Sequence, residues 1–151
     1  MYIVVHDCIH RSVYDSAWHL WLHSQSEEMD GNFILARGSF GVDLGITFTA
    51  PQEPRIHVEK HAPVRHIWVT QPPECNFTVV LQPLVRDQER YAVTSLPGGV
   101  QVSGADWSDQ VFLNPLPGLG SAGEWHRHGR FAEPAARCSV VRDGHILIVQ
   151  E

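Results

Sequence analysis

Lysine is nearly missing from this chain: Lys60 stands alone beside ten arginines in 151 residues. Basic charge as a whole is short, with 11 Lys and Arg against 17 Asp and Glu and a net charge of -6. That balance argues against nucleic acid as a partner, since binding a phosphate backbone needs a basic surface. The arginines that are present suit two-pronged pairing with carboxylate or sulfate. Long apolar runs are lacking too. None approaches the roughly 20 residues that a membrane-spanning helix needs. The opening Met1–Asp7 has neither the basic start nor the long apolar stretch of a secretory leader. The compartment stays open on these grounds: periplasm or exterior if a bacterial parent carries a leader, cytoplasm otherwise. Cysteine is scarce and unpatterned. Cys8, Cys75 and Cys138 are odd in number and share no CxxC spacing, which reads as three free thiols.

Helical periodicity is the last absence, and alternation of period two fills its place. Trp18, Leu20 and Leu22 point one way while His19, Trp21 and His23 point the other. Val42, Leu44, Ile46 and Phe48 alternate with Asp43, Gly45, Thr47 and Thr49. Phe77, Val79 and Leu81 repeat the pattern, as do Val100 and Val102 after Pro97-Gly98-Gly99. Asp143-Gly144 between Ala136–Arg142 and His145–Gln150 is a strong hairpin signal, and Asp30-Gly31 is a weaker one. Single helical turns are expected at Glu27–Met29 and Pro83–Gln88, and a surface loop across the Pro-rich stretch Asn114–Gly123. About a dozen short strands without a crossover helix predict an all-β fold, an antiparallel β-sandwich spanning residues 1–151 as one domain. Strands that start near Met1 and end near Glu151 suggest a piece of something larger.

Several patterns invite chemistry. Gly118–Gly123 matches GxGxxG by letter, but no helix follows to hold a pyrophosphate, so a dinucleotide site is rejected. Glu124, His126 and His128 share one face of a strand about 6.5–7 Å apart, a spacing that converges on a divalent transition metal such as zinc. The plainer reading is a solvated polar row with Trp125 packed inward. His19 and His23 lie about 13 Å apart on a strand and cannot share an ion. With Trp21 between them, that face is either a sugar-contact surface or a strand covered on both sides. Trp107 and Trp125 are further stacking candidates. No nucleophile elbow or protease signature is present. Asn76-Phe77-Thr78 fits a glycosylation sequon on an expected strand.

Taken in order, these segments resemble the late sheet region of heparinase II/III-like polysaccharide lyases. Tyr2–Asp7 resembles its first strand, and Trp18–His23 the aromatic strand ending in Leu-His. Asp43–Phe48 running into Ala50-Pro51 resembles the next, and Asp106–Asn114 the segment before the closing hairpin. Gly129-Arg130-Phe131 and Ala136–Gly144 resemble the last strands. The resemblance implies the C-terminal β-sandwich of an enzyme that cleaves uronate-containing polysaccharides by β-elimination. It also implies an upstream α/α toroid domain and an acidic polysaccharide as partners. The family's catalytic motifs, an HxHxD-like and an H-N-T segment, precede the matched region, and its zinc ligands lie mainly upstream. No catalytic residue therefore carries over, and the chain is expected to be inactive alone. Two further readings follow from the residues: an independent carbohydrate-binding module using Trp21, His23, Trp107 or Trp125, and a small cupin-like metal-binding enzyme built on Glu124, His126 and His128.

Overall fold

The computed structural model describes residues 1–7, 9, 13–73, 75–113, 138–142 and 145–149. Within them run thirteen strands. They are β1 (Ile3–Asp7), β2 (Ser16–His23), β3 (Ser26–Asp30), β4 (Phe33–Arg37), β5 (Val42–Ala50), β6 (Arg55–His61) and β7 (Val64–Gln71). The remainder are β8 (Phe77–Val85), β9 (Ala92–Leu96), β10 (Gly99–Ser103), β11 (Ser108–Leu113), β12 (Cys138–Arg142) and β13 (His145–Val149). The described residues contain no helix, and every pairing is antiparallel. The all-β sandwich expected from the alternation is what forms.

The chain divides into two compact units, Met1–Arg90 and Tyr91–Glu151. In the first, a five-stranded sheet of order β1-β8-β5-β4-β3 belongs with a three-stranded sheet of order β2-β7-β6. Both sheets supply the core. Ile34, Ile46, Phe48, Phe77 and Val79 come from the larger sheet and Trp18, Ile67 and Val69 from the smaller. The Trp18 and Phe48 rings meet edge to face at 5.4 Å, a favoured aromatic geometry. Glu27 of β3 fastens the two sheets together. Its carboxylate accepts from Ser24 Oγ at 2.8 Å and lies 2.5 Å from Arg65 Nε of β7.

The second unit is a five-stranded meander, β13-β12-β11-β10-β9. Val100, Val102 and Val111 are buried on one face. Asp109, 1% exposed, joins that face and takes both prongs of the Arg142 guanidinium at 2.6 Å.

Turn chemistry follows the sequence, with one shift. Asp30 pairs with Phe33, so Asp30 ends its strand and the two turn residues are Gly31 and Asn32. Gly31 takes φ 59°, the left-handed value that a hairpin turn of type II′ requires at its first position. In Pro97-Gly98, Gly98 takes φ 74°, the type II arrangement of proline followed by glycine. Arg142 pairs with His145, so β12 and β13 form the hairpin expected around residues 143 and 144.

Two expectations are overturned. Glu27–Met29 is not a helical turn but the middle of β3, facing Ala36, Leu35 and Ile34. Glu and Met favour helices in isolation, yet pairing with β4 and the Glu27–Arg65 contact decide the outcome. Pro83–Gln88 is likewise the end of β8 followed by a tight turn, closed by Gln88 N–H donating to Val85 O at 2.8 Å. Asp87 takes φ 67° in that turn, a conformation that Asp tolerates better than most residues. The Pro-rich stretch Asn114–Gly123, with its GxGxxG letters, lies outside the described residues.

Candidate functional site: the ring-stacked face of the three-stranded sheet

The sequence of β2 buries Trp18 and leaves His19, Trp21 and His23 exposed. The reading of a strand covered on both sides is therefore corrected. One face meets the core and the other meets solvent, since no other described strand of the first unit lies over it. Trp21 is 58% exposed.

Register assembles the rest of this face. β7 runs between β2 and β6, with His19 opposite Trp68 and Trp21 opposite His66. On its other side, His57 is opposite Trp68 and Glu59 is opposite His66. Alternation along each strand carries all these side chains to the same side of the sheet. The rings then stack. Trp21 lies parallel to His66 with centroids 3.9 Å apart and planes 2° from parallel. His66 stacks on Trp68 at 4.7 Å, and Trp68 on His57 at 5.0 Å. His19 stacks on His66 at 5.1 Å, and their Nδ1 and Nε2 atoms share a hydrogen bond of 2.8 Å. His61 lies 5.9 Å from Trp21.

Glu59 brings a carboxylate to this face, and Arg55, exposed two residues before His57, a guanidinium. Glu59 Oε2 lies 3.2 Å from His61 Nε2 and 3.9 Å from His66 Nδ1. Among the described residues, no three His, Cys, Asp or Glu side chains are already gathered around one point as a metal cage.

The other expected contact residues fare differently. His23 is exposed at the end of β2, opposite Val64, on the same side as Trp21. Trp107 is in the second unit and only half-exposed. Its ring meets Tyr91 edge-on at 5.0 Å, and the Arg142 guanidinium sits 5.4 Å from its centroid. Trp125 and the metal candidates Glu124, His126 and His128 lie outside the described residues. Of the three thiols, Cys75 is free, while Cys8 and the Cys138 side chain lie outside the description. Asn76 of the sequon is exposed, and its Oδ1 accepts from Ile9 N–H at 3.1 Å.

Sequence reasoning missed His57, Glu59, His61, His66 and Trp68. A signal for them existed. Polar and aromatic residues recur at every second position on both sides of Ala62-Pro63, the mark of a hairpin with one dressed face.

A concavity of about 360 Å³ lies on the outer face of the five-stranded sheet, floored by Phe33, Leu35 and Leu84. Arg90 caps Phe33 at 4.3 Å and approaches Asp30 at 3.6 Å. Asp43, 2% exposed, lies at its edge with Arg37 Nη1 at 2.8 Å, Gly38 N–H at 3.0 Å and Arg86 at 3.5 Å. Burial alone would push the Asp43 carboxyl up. The Arg37 and Gly38 hydrogen bonds and the charges of Arg37 and Arg86 outweigh it and hold the group below the ordinary carboxylate range. His6 shows the opposite balance. Burial draws its imidazole below the usual value despite Asp7 and a backbone hydrogen bond at Phe77.

Fold and site together define a class: an all-β sandwich protein with an aromatic, histidine-rich sheet face open to solvent. No family model matches the chain, and no curated protein or solved structure is significantly similar to it.

Proposed function

We propose that this chain is a carbohydrate-contacting β-sandwich, the substrate-flanking sheet region of a heparinase II/III-like polysaccharide lyase, with no catalytic centre of its own. The single observation that carries the reading is Trp21. Its indole keeps 58% exposure although His66 lies flat against it and the His61 ring sits 5.9 Å away. An exposed indole on a rigid strand offers a flat apolar platform to the C–H face of a sugar ring. His19 and His23 flank it on the same strand and supply polar edges for hydroxyl groups. Packing between Trp21 and His66 holds the indole in place before a ligand arrives, which lowers the ordering cost of binding.

The resemblance of Tyr2–Asp7, Trp18–His23 and Asp106–Asn114 to the lyase sheet region supports the polysaccharide as the ligand class. The all-β fold agrees with it but does not select it, because sandwiches host many unrelated roles.

Titrating the intact chain with heparan sulfate, alginate and a neutral glucan, read by tryptophan fluorescence, tests the proposal. The expected result is a saturable change with at least one polysaccharide, weakened about tenfold or more in Trp21→Ala, a loss near 1.4 kcal/mol. Unchanged affinity in that variant, or no saturable response to any polysaccharide, defeats it. Release of unsaturated uronate by the chain alone would overturn the non-catalytic part.

A further inference from the structure

We infer that the hollow on the outer face of the five-stranded sheet is a binding site for a small organic cation, an amine or guanidine carried on a short apolar body. The inference stands apart from the glycan reading, since it concerns the other sheet and uses no residue of the ring-stacked face.

Register builds the hollow. Ile34 turns to the core from β4, so its neighbours Phe33 and Leu35 point outward. Leu35 is opposite Glu28 on one side and Gly45 on the other, and Asp43 is opposite Leu84. Gly45 keeps the floor low. A β-carbon there would lie 3.2 Å from the Phe33 ring and 3.4 Å from Leu84 Cδ1, so only a bare backbone lets both side chains lie down over it. The space above, about 360 Å³, falls within the roughly 300–1,000 Å³ of small-molecule sites. All the residues around it belong to Met1–Arg90.

Charge selects the sign of the ligand. The walls carry four carboxylates, Glu28, Asp30, Asp43 and Asp87, against two guanidiniums, Arg37 and Arg90. Arg37 is already committed, donating to Asp43 at 2.8 Å and to Glu28 at 3.2 Å. Asp30 is 3.6 Å from Arg90, beyond hydrogen-bonding reach. Asp87 is exposed, and no ion pair to it forms among the described residues. These two carboxylates stand on opposite sides of the floor, because β3 and β8 flank β4 and β5. An incoming cation meets unspent negative charge from both, whereas an anion meets repulsion.

The protein seats a cation of its own here. The Arg90 guanidinium lies 4.3 Å from the Phe33 centroid, a cation–π distance. Its side chain is half-exposed, and contacts of this kind are weak at exposed sites. A ligand cation can therefore trade places with it, between the Phe33 ring and Asp30. The ligand's apolar body then lies across Leu35 and Leu84.

Titrating phenethylamine, and separately phenylpropionate of similar shape and opposite charge, into the isotope-labelled full chain tests the site. Amide shifts of Leu35, Leu84 and Gln88 at neutral pH and low salt are the readout. The amine is expected to saturate these shifts and phenylpropionate to leave them in place. The double variant Asp30→Asn/Asp87→Asn is expected to weaken the amine about threefold or more. Asparagine tolerates the left-handed backbone at position 87, so the turn is kept. Arg90→Gln clears the seat and removes a competing positive charge, and is expected to tighten the amine about twofold or more. Trp21→Ala should change nothing, which separates this site from the glycan face. Dispersed amide spectra check that each variant folds; if the double variant does not, the paired ligands and Arg90→Gln decide. Four results overturn the inference: no saturation by about 10 mM amine, phenylpropionate binding at least as tightly, undiminished affinity in the double variant, or no tightening in Arg90→Gln.

Discussion

Asp43 shows how one buried carboxylate organises its surroundings. Leu44, Ile46 and Phe48 alternate inward along β5, which sends Asp43 to the outer face at the strand's start. There it gathers Arg37, Arg86 and the Gly38 N–H. Removing the charge while keeping the shape, as in Asp43→Asn, leaves the guanidinium of Arg37 without its buried partner. The expected cost at pH 7 is about 2 kcal/mol. The sign of the pH dependence is fixed by the direction of the shift. A carboxyl whose folded pKa lies below its unfolded value of about 3.9 adds stability above that pH and loses it as the pH falls through the folded value. Urea midpoints of wild type and Asp43→Asn should therefore differ clearly at pH 7 and converge toward pH 3. An equal gap at both pH values would mean that the charge is not the cause.

At the scale of elements, β5 and β8 form the spine of the larger sheet, and β2 and β7 that of the smaller. Phe48 connects the two: it is fully buried on β5 and meets Trp18 of β2 edge to face. Phe48→Ala removes that contact and opens a cavity between the sheets. The expected loss is about 3–5 kcal/mol by chemical denaturation. A loss below roughly 1 kcal/mol would show that the interface collapses around the gap.

Elements were legible in the sequence wherever one residue type alternated with another. The strict inward series of β5 and the division of β2 into apolar and ring-bearing sides could be read directly. So could the hairpin closing at residues 143 and 144. Partners across strands were not legible. Trp21 meets His66 only because β7 enters between β2 and β6 with a definite register, and spacing along the chain carries no trace of that. Glu27 misled for a related reason. Its local neighbours favour a helix, while the residues that settle its conformation, Ala36 and Arg65, are distant in sequence.

Across the whole molecule, the two units are each self-sufficient in hydrogen bonding between strands. β1 to β8 pair among themselves and β9 to β13 among themselves. The second unit depends on a single long-range junction, where β11 and β12 lie side by side with Leu113 opposite Cys138 and Asp109 opposite Arg142. Residues 114–137, with Glu124, Trp125, His126 and His128 among them, are the chain between those two strands.

That junction has a topological consequence. Since Leu113 and Cys138 are already neighbours across the sheet, a bridge of only a few residues can join β11 to β12. Entropy of closure changes by only about 0.6 kcal/mol per doubling. Exchanging residues 114–137 for a five-residue glycine-rich bridge is expected to leave the Asp109–Arg142 clasp and the meander intact. Amide exchange protection across β10 and β11 would report that survival, and its disappearance would reveal that the excised residues had been helping to hold the sheet.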